Sequence, residues 1–296
     1  MSVLLLPGSA SLRGSGRIAT VVGILVVSAA VPPSPRPAIA ASAQSRSGFH
    51  VREAFSDRED GWNDHGAEIW FAAGAFRIDL WNHGEEEATR VSWVIPPGSR
   101  TRAIWIFHPT RDFDECAFES FAMEEGRVPA SWPIPATVDP ISVQRADDPR
   151  QVGAWSTSAV DLRDPGPDEE WLPHPSDPRM RIRRTFHRGI GRLWFSDETG
   201  VNLGDVRAAL AAALRPYQTA GGSLFLIHSM WARTILALDH DRVPGLPDGI
   251  PVALELEARG QLIATSELRV IERASLPATL FEVPAGYTRA ARCPNQ

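Results

Sequence analysis

A chain of 296 residues, 43% hydrophobic and only 22% charged, holds enough apolar material for one large domain or two ordinary ones, which excludes wholesale disorder. Its 30 basic residues, all arginine, face 36 acidic ones for a net charge of -6. That balance argues against a nucleic-acid module, which needs a concentrated basic face to displace counterions from phosphate.

The chain opens like an export signal. Arg13 and Arg17 precede an uncharged run from Ile18 to Val31, followed by a proline-rich stretch and the small-residue sites Ala38-Ile39-Ala40 and Ala41-Ser42-Ala43. A positive start, an apolar middle and an A-x-A site are the three parts of a secretory signal, read here as residues 1–43. The alternative is a membrane anchor, but a span needs about 20 apolar residues and Pro32 and Pro33 interrupt the run before that. Cleavage after Ala43 removes arginines 13, 17 and 36 and no acid, leaving a more acidic periplasmic or secreted chain with no transmembrane span. Intact-mass analysis or N-terminal sequencing is expected to place the mature N-terminus between Ala41 and Gln44. A retained Ile18–Val31 run would replace this reading with an anchored one.

Residues 67–107 carry strand signals. Phe76, Ile78 and Leu80 alternate with Arg77, Asp79 and Trp81, and the preceding Glu68-Ile69-Trp70-Phe71 reaches them through Ala72-Ala73-Gly74, a connection suited to a hairpin. Arg90–Ile95 and Arg102–Phe107 pair around the turn cluster Pro96-Pro97-Gly98. Trp70 and Trp81 fall opposite the apolar face of the first hairpin, so both of its faces are partly apolar. In an oxidising compartment Cys116 and Cys293 either pair, for a nominal ~5 kcal/mol of loop-entropy stabilisation, or stay separate with Cys293 in a frayed polar tail, 288–296.

Ten of the 25 prolines lie between Pro129 and Pro178, and each removes a ladder donor. The segment 129–178 reads as an irregular surface excursion in which Trp132, Trp155 and Trp171 dock. A strand around Arg192–Phe195 then leads to two helices. Asp205–Leu214 is alanine-rich, carries Val206, Leu210, Ala213 and Leu214 on one stripe, and is expected to stop at Pro216. Ser223–Leu238 is apolar almost all round and reads as a helix covered on several sides, although a buried strand pair has the same composition. Near the C-terminus, Val252, Leu254 and Leu256 share one strand face, and Leu262, Ala264, Leu268 and Val270 share one face of the next, with Glu255, Glu257, Glu267 and Arg269 opposite. The elements predict an α+β fold: a single domain over 44–287 made of an antiparallel β-sheet with two helices packed on one face.

Leu276–Tyr287 reads LPATLFEVPAGY. Leu280, Phe281 and Val283 form an apolar cluster, Pro284 fixes the backbone, Gly286 permits a positive φ, and Tyr287 ends the wall with a polar tip. The motif resembles the closing segment of an exported bacterial family known as domain of unknown function number 4412. Trp194-Phe195-Ser196 with its following helix, and Gly249-Ile250-Pro251 opening a hairpin, are similar in kind and order. The resemblance implies a lipoprotein-carrier-like half-barrel, a curved antiparallel sheet with the helices on the concave face, in which the concavity binds acyl chains or acts as a sensor.

No reaction signature is present. Asp239-His240-Asp241 reads as a solvated helix end, because adjacent strand residues cannot ligate one ion together. Asp57, Glu59, Asp60, Asp64 and His65 lack calcium-loop spacing. His228-Ser229 lacks a nucleophile elbow. No cofactor and no metal are expected. Of the ten tryptophans, Trp93, Trp105 and Trp231 either pack the core or line a cavity. The function expected first is non-enzymatic binding of a lipid or other apolar molecule in a sheet–helix cavity lined by Trp231, Met230, Ile227, Trp93 and Trp105. The alternative is a cell-envelope structural or protein-interaction module using an exposed sheet face. A third is a hydrolase whose site is assembled from distant residues.

Overall fold

The computed structural model describes residues 45–58, 61, 63–121, 142–163, 169–174, 177–185, 189–220, 228–238, 243–258 and 261–293. Strands β1 (Arg46–Asp57), β2 (Asp64–Ala72) and β3 (Ala75–Asn82) are followed by a single helical turn α1 (Glu86–Thr89), then β4 (Val91–Ile95), β5 (Arg102–Phe107) and β6 (Asp112–Ala117). The middle of the chain contributes β7 (Ser142–Ala146), the two-residue β8 (Gln151–Val152) and β9 (Trp155–Ser156), β10 (Ser158–Arg163), β11 (Glu169–His174), β12 (Asp177–Thr185) and β13 (Gly189–Ser196). Helices α2 (Leu203–Thr219) and α3 (Met230–Ala237) precede β14 (Ile250–Ala258), β15 (Gln261–Leu276) and the short β16 (Thr288–Arg289).

Twelve strands form one curved, unclosed sheet in the order β16-β6-β5-β4-β3-β2-β1-β15-β14-β13-β10-β7. All neighbours are antiparallel except β16 on β6. The hairpins expected at Gly74 and Gly98 are present, both glycines with positive φ. Strand β1 lies centrally because β15 returns to pair with it over its whole length. The fold is therefore α+β, with α2 against β2 and β3, and α3 against β14 and β15, on the concave face.

Period-two alternation sends Val51, Glu53 and Phe55 of β1, and Ala67, Ile69 and Phe71 of β2, to the helix-bearing face, where Leu210, Leu214, Tyr217, Trp231 and Ile235 complete the core. The opposite face is covered as well. Trp81 lies on Gly66, where a Cβ would meet its ring at 2.3 Å, and carries the guanidinium groups of Arg52 and Arg90. Trp70 stacks on His50 with ring centroids 5.5 Å apart. A second, smaller core of Ala72, Ala75, Val94, Ile106 and Leu276 receives Phe281. The two-faced apolar hairpin read from the sequence serves two cores.

Four expectations need correction. The prolines of 129–178 do not exclude ladders: β7 and β10, neither of which contains a proline, extend the main sheet, and β11 and β12 pair although each carries one. Helix α2 continues past Pro216 to Thr219; a proline in the last turns forfeits only one bond, and Tyr217, fully buried, holds the final turn against the core. Helix α3 starts at Met230, since Ser229 is extended and caps the Ala232 N–H with its hydroxyl. Leu224, Phe225 and Ile227 lie outside the described residues. Finally, β15 does not keep one face from Leu262 to Val270. Extra residues at Ile263 and Arg269 shift its register against β14 and β1, so Leu262 turns outward, 37% exposed, and Ile271 takes the inward place expected of Val270.

Candidate functional site

The face away from the helices carries a groove of about 340 Å³. Its floor is made of short side chains, Ala54 and Ser56 of β1 and Thr265 of β15, with the two hydroxyls 3.0 Å apart. Arg150, on the loop between β7 and β8, forms one wall: its guanidinium lies 3.8 Å from the Trp194 ring centroid and is paired with Glu255 (3.6 Å) and Glu267 (3.4 Å). That loop is fixed by Asp148, whose carbonyl accepts from the Trp194 indole and whose carboxylate pairs with Arg192. Arg192 is also held by Asp161, and the two carboxylates raise its pKa. A second groove of about 350 Å³, lined by Asp161, Arg163, Arg192, Glu255 and Glu257, adjoins the first at Glu255. The face thus presents a shallow polar track with side chains of both signs.

The helix-bearing face holds a different construction. Glu53, fully buried on β1, accepts from the Ser229 hydroxyl (2.5 Å), the Ser266 hydroxyl (2.6 Å) and the Trp231 backbone N–H (2.8 Å). Burial pushes its carboxyl pKa up, opposed by these three donors and by the nearby charge of Arg233. Glu53 pins the N-terminus of α3 to the sheet, where the helix dipole favours it. The Trp231 indole donates to the Pro251 carbonyl at 2.9 Å.

A third polar group lies under the C-terminal segment. Arg77 holds Asp79 in two bonds (2.6 and 3.0 Å) and donates to the Leu280 carbonyl, while Arg90 adds a 2.6 Å bond to Asp79. Burial alone would raise the Asp79 carboxyl, but the two arginines hold it below its ordinary value. His108 sits between the Ser92 hydroxyl (2.6 Å) and the Tyr287 hydroxyl (2.9 Å), and burial lowers its pKa. Ser92 and His108 are a hydrogen-bonded pair of hydrolase type, yet Ser92 is 1% exposed and the far ring nitrogen meets a tyrosine rather than a carboxylate. His50, bonded to Glu68 and Glu272 across three strands, has its pKa raised chiefly by Glu68.

Of the sequence-derived ligand residues, Met230, Trp231 and Trp93 lie in one core, with Trp105 packed against it. Met230 and Trp231 are buried in the first turn of α3; Trp93 packs edge-on to Tyr217 of α2, centroids 4.9 Å apart; Trp105, directly across from Trp93, is half-buried. None of these lines either groove. Ile227 and Asp239-His240-Asp241 lie outside the described residues. Cys116 and Cys293 are bonded to each other. The metal-type cluster found among the described residues, Asp114 with these two cysteines, has both sulfurs committed to that bond. Sequence reasoning missed Glu53 and Arg150. A glutamate at an inward-facing position of an otherwise apolar alternation was the available signal for the first; for the second there was none.

Among the described residues no helix is long and apolar enough to cross a membrane. No family model and no curated protein matches the chain. Solved structures similar to it include an uncharacterized conserved protein from Thermus thermophilus, at 9% identity over 84% of this chain and 91% of that one, TM-score 0.38. Another is MucB in complex with MucA(peri), at 11% identity over 81% of this chain and 55% of that one, TM-score 0.35. A third is a LolA superfamily protein from Nitrosomonas europaea, at 8% identity over 80% and 90%, TM-score 0.28.

Proposed function

We propose that this chain is an exported, non-catalytic protein of the cell envelope that binds another polypeptide on the sheet face turned away from its helices. The observation that carries this reading is the contrast between the faces. The concave face carries the buried side chains of Trp231, Met230, Trp93 and Tyr217, whereas the other carries a polar track floored by Ala54, Ser56 and Thr265. Short side chains let a partner backbone approach the sheet, and Glu255, Glu267 and Arg150 offer both signs of charge to its side chains. The partner expected is an extended segment with alternating charge. A photo-crosslinker at Ala54 in the native host is expected to give a discrete adduct that Arg150→Glu abolishes. A crosslinker at Arg207 on α2 is the control. Adducts from Arg207 alone, or none from Ala54, would sink the reading.

A second reading keeps the apolar or acyl-bearing ligand. It is favoured by the single buried carboxylate that anchors the start of α3: displacement of that helix would uncover Met230, Trp231 and Ile235. Mass spectrometry of organic extracts from protein purified out of its own envelope decides for it if one lipid copurifies per chain.

A further inference from the structure

The C-terminal segment wraps round one edge of the sheet. Phe281 and Tyr287 sit on the face away from the helices; Thr288 and Arg289 then pair with the edge strand β6, and Arg292 and Cys293 arrive on the helix-bearing side. The two parts of this wrap are held differently. Residues 277–287 are anchored by the fully buried Phe281 ring, the Leu280 carbonyl on Arg77 and the Tyr287–His108 bond. Residues 288–289 pair with Asp112 and Phe113 of β6, flanked by bonds from Thr288 N–H to the Arg111 carbonyl and from Ala290 N–H to the Phe113 carbonyl. Residues 290–293 add the Asp112–Arg292 pair, in which the arginine is 43% exposed, and the N–H groups of Arg292 and Cys293 on Asp114. The carboxylates of Asp112 and Asp114 are buried but their arginine partners reach solvent, and the ladder is only two residues long, so the disulfide is the strong link.

We propose that the Cys116–Cys293 disulfide is a redox catch: its reduction releases residues 288–293 and bares the edge of β6, while residues 277–287 stay docked. This inference does not rest on the binding track. The chemistry follows from exposure. Cys116 is fully buried and Cys293 only partly, so the thiolate of an incoming dithiol reductant attacks the Cys293 sulfur and expels Cys116 as a thiolate, which takes up a proton. The second thiol of the reductant, as its thiolate, then attacks its own sulfur in the mixed disulfide and expels Cys293, which is likewise protonated. Two electrons and two protons pass to the protein, and the reductant leaves as a disulfide. The Asp114 carboxylate lies 2.9 Å from the Cys293 sulfur in the oxidised, docked arrangement, and reduction frees that sulfur from it. A bare strand edge is a site for strand addition, which the oxidised protein keeps covered with its own tail.

The test is amide exchange on the full mature protein, oxidised and then reduced with dithiothreitol without denaturant. Exchange of 288–293 and of the β6 amides is expected to rise at least tenfold on reduction, with 277–287 unchanged. A thioredoxin-type dithiol protein lacking its resolving cysteine is expected to be trapped on Cys293. The Cys116→Ser, Cys293→Ser double variant should exchange like the reduced protein and not respond to dithiothreitol. Unchanged β6 protection after complete reduction would overturn the proposal, as would an adduct mapping to Cys116. Loss of protection across 277–287 as well would overturn it too, because the disulfide would then hold the whole segment rather than its end.

Discussion

Glu53→Ala is expected to destabilise the protein by about 3–5 kcal/mol, read as a shift in the urea midpoint at constant slope. The substitution leaves the Ser229 and Ser266 hydroxyls and the Trp231 N–H facing a void in place of their acceptor. Each buried donor without an acceptor costs roughly 1–3 kcal/mol, and the cavity adds to it. Glu53→Gln separates charge from shape. Burial raises the folded-state pKa above the ordinary value of 4.5, so over that interval the folded protein binds more protons than the unfolded one. Stability then falls as pH rises from about 4.5 through the raised value, and levels off above it. Wild type should show this decline and Glu53→Gln should not. A Glu53→Ala midpoint within error of wild type would mean that α3 is held by its apolar face alone.

Much of the fold was legible because alternation reports directly on which face a strand buries. Phe76, Ile78 and Leu80 marked β3, and Leu254 and Leu256 marked β14, each with its charged partners on the opposite face of the sheet. What failed were features with no local signature. Bulges at Ile263 and Arg269 depend on how β15 must fit two neighbours at once, and nothing in its own sequence announces them. Proline counting misled because it averaged over 129–178, whereas β7 (SVQRA) and β10 (SAVDLR) contain no proline. The candidate site was the least legible part. Its track joins Ala54, Thr265 and Arg150, which become neighbours only when β1 pairs with β15 and the β7–β8 loop folds over Trp194. The apolar residues picked as a ligand cavity fall in one interior where they are described, but aromatic composition does not distinguish a lined cavity from a filled core.

The LFEVPAGY segment reads as a lock at the end of the last strand, and its position on the far face makes a sharper expectation possible. Phe281→Ala should cost about 3–5 kcal/mol, the transfer energy of a buried ring plus the cavity it leaves. Phe281 is fully enclosed by Ala72, Ala75, Val94, Ile106 and Leu276, small or branched side chains on strands that cannot collapse inward without breaking the ladder. A thermal midpoint unchanged from wild type would make the segment surface decoration. The sheet separates this core from the one around Glu53, and the two clusters share no residue. The milder pair Glu53→Gln and Phe281→Leu should therefore be additive within about 0.5 kcal/mol in a double-mutant cycle. A coupling well above about 1 kcal/mol would mean that the central strands move as one body when either face is loosened. In that case a partner on the polar track would alter how tightly α3 is held on the other side.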